Sequence, residues 1–420
     1  MQRTLIIAAL SLTMFTGADW TRFRGPGGSG VSDDKGLPTT WSATENVVWK
    51  TAMPGFGASS PITLGDKIFV TCYSGYGLNE EEPGELKNLR RHLLCVDRSG
   101  GKILWEATSK ALLPELEYGR FSALHGYASS TPVTDGKKVY VFYGRSGVHA
   151  YTTGGSPKWT TNVGEGLERH GWGSATSPVV VDNLVIVNAS VESKSLVALN
   201  KATGEEVWRA EGIDSSWSTP LIVDLPNGKK ELVVSIKNKV LGFDPASGEK
   251  LWECESVPDY VCPMVVASGG VVYITGGRKP TTLAVKAGGR GDVTETHRLW
   301  MIGSASKVPS PLYHHGLLYW ANEKGQASCL QASDGEVLYK ERLDISGGGD
   351  KFYASLVLAD GKLYAVSRSG GTIVLAAGKE FKQLAKNDLG DESVFNATPT
   401  VSNGQLLLRS DKFLYCIGEK

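Results

Sequence analysis

The chain has 420 residues, 41% of them hydrophobic, and its 44 basic and 44 acidic residues cancel to a formal net charge of zero. This composition allows a large buried core, and without a net field we expect no binding to nucleic acid or to an anionic membrane surface. Length alone suggests roughly two or three domains, but a repeat that runs through most of the chain indicates one closed array.

Residues 1–18 have the pattern of a secretory signal peptide. A short basic start precedes an apolar run from Leu5 to Phe15, and the small residues Thr16, Gly17 and Ala18 offer a cleavage site. The run is too short to span a membrane, and no later stretch reaches that length. No cysteine follows it to carry a lipid anchor. We therefore predict a soluble, exported chain, periplasmic or secreted, that is not a lipoprotein.

Residues 19–45 form a Pro/Gly-rich, irregular lead-in that we expect to drape over the domain rather than to be helical. A phosphate-binding loop at Gly27–Gly30 is the alternative. The segment lacks the preceding strand, the following helix and the Lys-Ser/Thr pair that such a loop requires. The lead-in is therefore interpreted as a structural segment.

One repeat dominates the rest of the chain. Ala198–Arg209 reads as strand, tight turn and strand, and Gly242–Glu253 repeats the same phrase. The distance from Trp208 to Trp252 is 44 residues. A fixed period of this length, carrying only strand signals, predicts the blade of a β-propeller.

Eight blade openings can be counted along residues 46–420, which predicts one eight-bladed domain. Each opening is followed by an apolar run and, in most cases, a Gly/Asp/Asn turn: Ser60-Pro61, Thr131-Pro132, Ser177-Pro178, Thr219-Pro220, Cys262-Pro263, Ser310-Pro311, Ala354-Ser355 and Thr398-Pro399. Asn46–Lys50 matches the closing phrase of a blade, whereas Phe413–Ile417 matches a third strand that no fourth strand follows. We predict that the N-terminal strand completes the last blade and closes the ring.

Aromatic residues recur where each blade closes. We interpret them as wedges that dock adjacent blades, each with its indole N–H bonded to a neighbouring carbonyl. They are Trp49, Trp105, Trp159, Trp208, Trp252 and Trp300.

The six cysteines leave the disulfide state open. Cys95, Cys329 and Cys416 align at one position of the repeat, where most blades have a small residue, so we expect them to be buried small side chains. A bridge between Cys254 and Cys262, or from Cys72 to some partner, is still possible from the sequence.

The phrase Ala-x-Asp-x-x-Thr-Gly-x-x-x-Trp resembles the tryptophan-docking repeat of the PQQ-like (pyrroloquinoline quinone) propeller family. It occurs at Val96–Trp105, Ala198–Trp208 and Gly242–Trp252, and in degraded form at Cys329–Tyr339. The resemblance implies an all-β, eight-bladed propeller of the quinoprotein dehydrogenase-like type. That family includes quinoprotein dehydrogenases and non-catalytic scaffolds of the BamB type, and the opening Trp20–Pro26 resembles exported repeat proteins of environmental bacteria.

A quinoprotein dehydrogenase of this family would need the quinone stacked on a tryptophan, a calcium ion and a catalytic Asp. The chain has no Cys-Cys pair and no Cys-x-x-Cys-His motif, and no calcium set can be matched residue by residue. We therefore expect a non-catalytic binding or protein-interaction scaffold without cofactor or metal. A PQQ- and calcium-dependent dehydrogenase and a carbohydrate-binding or carbohydrate-processing propeller are the alternatives.

In a propeller blade, the loop from the outer strand to the next inner strand and the loop between strands two and three lie on the same face. The longest loops, Tyr73–Arg91 and Ala107–Ala128, belong to these two classes. We call this face the long-loop face and predict that it engages a protein or glycan partner, the chain itself being a monomer. The alternative is that these loops only cover apolar edges.

Residues that lead into the inner strands should ring the mouth of the central channel on that face. Aromatic and polar side chains recur there, which predicts a ligand site, although they could instead pack between the inner strands. No Ser or Cys nucleophile with a matching base is identified, so no catalytic residue is assigned. The predicted ligand-binding residues are Phe56, His125, Tyr127, His170, Trp172, Trp217, Tyr260, Lys307, Phe352, Tyr353 and Phe395.

Overall fold

A computed structural model describes residues 19–167, 171–345 and 351–419. These residues form eight four-stranded sheets, the blades of a propeller, and each blade is an antiparallel meander. We number the blades by the chain order of their first, innermost strand. The predicted all-β, eight-bladed architecture is confirmed.

Each blade runs from an innermost strand beside the channel to an outermost strand at the rim. From inside to outside, blades 1 to 4 consist of Ile62–Leu64, Lys67–Ser74, Arg90–Asp97 and Ile103–Lys110; Val133–Thr134, Lys138–Phe142, Val148–Thr152 and Pro157–Thr161; Val179–Val181, Leu184–Ala189, Ser195–Asn200 and Glu206–Glu211; Leu221–Asp224, Lys230–Ile236, Lys239–Phe243 and Lys250–Glu255. In the same direction, blades 5 to 8 consist of Val266–Ser268, Val271–Gly276, Thr281–Lys286 and Arg298–Ile302; Leu312–His314, Leu317–Ala321, Gln326–Gln331 and Val337–Arg342; Val357–Ala359, Lys362–Val366, Thr372–Ala376 and Gln383–Asn387; Thr400–Ser402, Gln405–Arg409, Phe413–Ile417 and Val47–Ala52.

Two short strands extend these sheets. Val31–Ser32 pairs in parallel with the inner strand of blade 7, and Gly291–Asp292 pairs in parallel with the outer strand of blade 4. The helices are single turns: Ser122–His125 and Thr294–His297 are α-helical, and Pro26–Gly28, Leu86–Asn88 and Gly144–Ser146 are 3-10 helices. Among the residues that the structure describes, no helix has the length and apolar character needed to cross a membrane.

The burial of each strand follows its place in the blade. Lys67–Ser74 and Arg90–Asp97 in blade 1 are buried along nearly their whole length, because neighbouring blades cover both faces of the sheet. The outer strand Ile103–Lys110 alternates between half-buried and exposed residues, as expected for a strand with one solvated face. The core therefore lies between the blades, in a series of separate apolar clusters.

The chain ends close the ring. Val47–Ala52 pairs in antiparallel register with Phe413–Ile417, which confirms the predicted closure. At the same junction Nη1 of Arg409 donates to the carbonyl of Ser59 at 2.9 Å and to its hydroxyl at 2.7 Å. Blade 8 is thereby tied to blade 1 by both a strand and a buried side chain.

Most of the closing tryptophans pack on a glycine in the following blade. A Cβ atom on Gly248 would lie 2.5 Å from the ring of Trp208, and the same close approach joins four further pairs: Gly101 with Trp49, Gly155 with Trp105, Gly204 with Trp159, and Gly335 with Trp300. The indole N–H groups of four tryptophans donate to carbonyls of the next blade: Trp49 to Arg98, Trp159 to Lys201, Trp208 to Pro245, and Trp300 to Ala332.

Two tryptophans depart from the predicted pattern. The indole N–H of Trp105 has no hydrogen-bond partner among the described residues. Trp252 is fully buried, and its N–H donates at 2.7 Å to the Glu231 carboxylate of its own blade rather than to a carbonyl of the next. The reason is local: the loop from Gly288 to Arg290 bonds to the same carboxylate and replaces the usual turn.

The lead-in crosses the face opposite to the long loops. Trp20 is 1% exposed and exchanges hydrogen bonds with Thr63 in blade 1, while Tyr364 in blade 7 donates to the carbonyl of Pro38. The segment follows the underside of several blades and, through Val31–Ser32, enters the channel. Apart from that short strand, the segment contains one 3-10 turn.

All six cysteines are unpaired in the structure. Cys95, Cys329 and Cys416 are fully buried, as are Cys72 and Cys254. Cys262 is the partly exposed member of the set.

Candidate functional site

The channel wall is built from the hydroxyl residues that open the blades. The hydroxyl oxygen of Thr131 accepts the backbone N–H of Ser60 in the preceding blade at 3.0 Å, and this bond recurs around the channel. We call the six accepting residues the hydroxyl belt: Thr131, Ser177, Thr219, Ser310, Ser355 and Thr398. The Ser/Thr-Pro openings therefore tie one blade to the next.

The hydroxyl belt is interrupted at two blade junctions. At blade 5 the equivalent position is Met264, two residues before the inner strand, so the opening assigned to Cys262-Pro263 in the sequence is out of register. There Val261 makes backbone bonds instead: the N–H of Trp217 donates to the carbonyl of Val261, and the N–H of Val261 donates to the carbonyl of Ser215. The second interruption is the ring closure, where Arg409 binds Ser59.

Above the hydroxyl belt lies a cavity of about 290 Å³, which we call the mouth cavity. Three aromatic rings form one side of it: the ring centroid of Trp172 lies 4.9 Å from that of Trp217 and 4.4 Å from that of Tyr260. Phe121 packs edge-on against Trp172 and is 46% exposed, so the cavity reaches the surface of the long-loop face. Phe23 of the lead-in lines the opposite end.

The loop of residues 111–132 arches over the mouth cavity. The carbonyl of Leu124 accepts a 2.7 Å hydrogen bond from the Asn396 amide, which links this loop, past blade 1, to the segment that leads into blade 8. The loop of residues 75–89 supports it from outside, since the hydroxyl of Tyr76 accepts the N–H of Tyr118. The two long loops thus pack on one another on the face where the sequence placed them.

His125 and Ser129 form a hydrogen-bonded pair in the wall of this cavity. Nε2 of His125 lies 2.7 Å from the carbonyl of Trp172 and must donate to it. Nδ1 is then the acceptor for the Ser129 hydroxyl, at 2.6 Å. Burial lowers the pKa of His125 and the charge of Arg368 lowers it further, against the opposing effect of the Trp172 carbonyl. The imidazole is therefore neutral near pH 7.

Sequence reasoning missed Ser129, although a signal was present. His125 is the last residue of a one-turn helix and Ser129 follows four residues later, and only the fold shows that this turn faces the channel. The Ser/Thr-Pro pairs indicate strand starts in the sequence, but nothing local shows that their hydroxyls line a channel together.

The structure brings five of the predicted ligand-binding residues into the wall of the mouth cavity: His125, Trp172, Trp217, Tyr260 and Tyr353. His170 lies outside the described residues. The side chain of Lys307 is not part of the described cavity wall; its ammonium pairs with Glu323.

Four predicted aromatic residues pack elsewhere. Phe352 is fully buried between blades 6 and 7 and does not line the mouth cavity. Phe56 packs against Tyr73, and Phe395 against Tyr415. Tyr127 lines a separate cavity of about 30 Å³ and donates its hydroxyl to the carbonyl of Leu116. These four rings pack against other parts of the protein and do not line the mouth cavity.

The described side chains that line the mouth cavity are uncharged at neutral pH. None of the described side chains that line it is a carboxylate, a lysine or an arginine. Burial, with the nearby charge of Asp259, raises the pKa of the Cys262 thiol to about 12, so this lining residue is a neutral thiol at pH 7. In the described parts of the chain no three His, Cys, Asp or Glu side chains converge as a metal site would require.

Comparison with known proteins identifies relatives of the chain. A family model described as outer membrane protein assembly factor BamB matches residues 90–341 and 237–384. A comparison with curated protein sequences gives no match.

Three solved structures share the fold. BamB from Moraxella catarrhalis is 12% identical with a TM-score of 0.61, covering 89% of this chain and 97% of its own. The computationally designed protein Ika8 is 12% identical with a TM-score of 0.58, covering 91% and 100%. Quinohemoprotein alcohol dehydrogenase ADHIIG from Pseudomonas putida HK5 is 14% identical with a TM-score of 0.51, covering 86% and 76%. Because the family model spans most of the propeller, the chain belongs to the BamB-like family of PQQ-like β-propellers.

Proposed function

We propose that the chain is an exported, non-catalytic scaffold that binds a protein partner through its long-loop face. The observation that carries the proposal is a set of exposed apolar side chains in the loops of that face, beside the mouth cavity: Leu78, Leu112, Leu113, Phe121 and Leu167. Apolar side chains exposed together on one face are typical of interaction surfaces. The family match supports a role of this kind, since the family is described as an assembly factor.

The alternative is a PQQ- and calcium-dependent dehydrogenase. Pyrroloquinoline quinone carries several carboxylates, and calcium prefers oxygen ligands such as Asp and Glu. The described lining of the mouth cavity offers no acidic side chain as a ligand for the ion. This lining does not fit the pair, and we derive no step through them.

Two matched variants of the chain from residue 19 onward test the protein-binding proposal. Phe121→Asp places a charge on the long-loop face, whereas Met301→Asp places one at a residue of similar exposure, 46% against 42%, on the outer strand of blade 5. We expect an envelope protein captured by the wild-type chain to be retained by Met301→Asp and lost with Phe121→Asp. Capture that is unchanged in Phe121→Asp, or lost equally in both variants, contradicts the proposal.

A titration with pyrroloquinoline quinone and calcium distinguishes the scaffold from the dehydrogenase. The scaffold proposal expects no shift in melting temperature and no saturable change in visible absorbance. Because a ligand specific for the folded state must stabilise it, a saturable shift would instead favour the dehydrogenase.

A further inference from the structure

The hydroxyl belt has hydrogen-bonding capacity that the protein does not use. Each of its six hydroxyls is at most 4% exposed and accepts one backbone N–H. A hydroxyl also has one O–H to donate, and within the described ranges none of these six finds an acceptor at hydrogen-bond distance. All six line the mouth cavity, so the vacant donors face the space inside the channel.

The bonds that the belt accepts strengthen the bonds that it can donate. An oxygen that accepts an N–H is polarised, which makes its own O–H a better donor and its remaining lone pair a weaker acceptor. A buried polar group without a partner costs free energy, so an acceptor placed inside the ring of hydroxyls is favoured. With no carboxylate among the described lining residues, the wall has an excess of donors.

Two arginines beneath the cavity give this end of the channel a positive charge. They flank Phe23, the lead-in residue that lines the cavity. Arg24 is fully buried; its Nη2 donates to the carbonyl of Ser29, while Nε and Nη1 have no partner among the described residues. Nε and Nη2 of Arg22 also have no hydrogen-bond partner among the described residues.

Both guanidinium groups stay charged at neutral pH. Burial lowers the pKa of Arg22 to about 10 and that of Arg24 to about 9. No carboxylate offsets this burial. A Cβ atom on Gly28 would lie 3.4 Å from Nη2 of Arg22 and 2.5 Å from Cε of Met264, a lining residue, so the Arg22 charge lies against the cavity floor. A buried cation without a counter-charge favours an anion nearby.

The opposite end of the mouth cavity is apolar and aromatic. Trp172, Trp217 and Tyr260 present ring surfaces there, and the volume of about 290 Å³ is near the lower limit for small-molecule sites. A ligand that satisfies both ends has a ring-sized apolar body and an anionic group of oxygen acceptors.

We propose that the mouth cavity binds a small carboxylate with a planar, apolar body, its carboxylate oxygens accepting from the hydroxyl belt and its body lying against the aromatic cluster. The proposal concerns the cavity alone and does not depend on a protein partner at the rim.

Benzoate and benzamidine form the matched pair of probes. They have nearly the same shape, but benzoate is an anionic acceptor and benzamidine is a cationic donor. Titration of the chain from residue 19 onward, followed by tryptophan fluorescence and by ligand-observed NMR, should show benzoate binding at least about tenfold more tightly, a difference of about 1.4 kcal/mol.

Two threonine variants locate the site. Thr219→Val removes a belt hydroxyl, whereas Thr176→Val removes an equally buried hydroxyl, bonded to the Asn188 carbonyl, that is not among the cavity lining. Both lose one buried hydrogen bond, so they should lose similar stability. Benzoate affinity should fall several-fold in Thr219→Val and stay unchanged in Thr176→Val.

Three outcomes overturn the proposal. Equal or tighter binding of benzamidine would leave a binding cavity but remove its preference for acceptors. Benzoate binding that survives in Thr219→Val would place the carboxylate elsewhere. Binding of neither probe at about 10 mM, where a millimolar ligand should already register, would show that the cavity takes no such ligand. None of these outcomes bears on the capture of a protein partner, which is the separate readout of Phe121→Asp.

Discussion

At the scale of single residues, Glu192 is the most strongly perturbed carboxyl near the long-loop face. It is 5% exposed between blades 2 and 3, where it accepts a hydrogen bond from the Ser174 hydroxyl. Burial raises its pKa to about 7, and the charge of Glu115 adds to the rise, while Ser174 and Arg91 act against it. The carboxyl is therefore half protonated near neutrality in the folded chain.

This shift predicts that Glu192 makes stability depend on pH. The pKa in the unfolded chain is about 4.3, so between that pH and about 7 the folded state binds more protons than the unfolded state. The stabilisation that Glu192 contributes is fully present below the unfolded-state pKa and is lost as pH rises through the folded-state pKa of about 7. Relative to Glu192→Gln, the wild-type chain should lose up to roughly 3 kcal/mol between pH 4 and 8.

Urea unfolding of both proteins across this range measures the difference. The Gln variant keeps the size and a bond to Ser174 but does not titrate, so other groups cancel in the comparison. Parallel pH profiles for the two proteins would contradict the assigned shift.

At the scale of elements, the blades are held together by close contacts that demand glycine. Gly248 has φ of +73° and would place a Cβ atom 2.5 Å from the Trp208 ring of the preceding blade. Gly228, in another turn of blade 4, has φ of +79° with nothing within 4 Å. The two positions share the backbone strain and differ in the blade contact.

Replacing each of these glycines with alanine separates the effect of the Trp208 contact on the free energy of unfolding from the effect of backbone strain. Gly228→Ala should cost about 1–2 kcal/mol, the penalty for a side chain in the left-handed region. Gly248→Ala should cost about 1–3 kcal/mol more, because Trp208 must move out of its site. Denaturant unfolding of both variants measures this. Equal losses would mean that Trp208 can shift freely.

The ring as a whole depends on its own first strand. Without Val47–Ala52, blade 8 keeps three strands and the backbone of Phe413–Ile417 becomes an open edge. Trp49, which packs on Gly101 in blade 1, is lost with the strand. An open edge of this kind invites pairing with another chain.

Two truncations test the closure. Chains that begin at residue 46 and at residue 53 both lack the lead-in and differ only in the closing strand. We expect the first to stay monomeric and the second to self-associate and to be less stable by more than about 3 kcal/mol, the cost of losing a large buried aromatic side chain. Light scattering and thermal unfolding distinguish them. Identical behaviour would show that the strand is dispensable.

The architecture of the protein can be predicted from its sequence. Repeated phrases such as Ala198–Arg209 and Gly242–Glu253 each encode one strand–turn–strand unit, and an unmatched strand at each end predicts how the ring closes. These signals are local, because alternating burial and turn residues act within a few positions of one another. In a periodic chain, each repeat therefore carries the same local signals for the fold.

Which side chains face the channel depends on long-range packing. Phe352 and Tyr353 are neighbours in the chain, yet one fills the core between two blades and the other lines the mouth cavity. Ser129 and the hydroxyl belt meet the cavity only because eight inner strands converge there. The direction of a side chain just before a strand depends on strand register and on the neighbouring blade, and both are long-range properties. The lining of the mouth cavity is therefore fixed by closure of the ring.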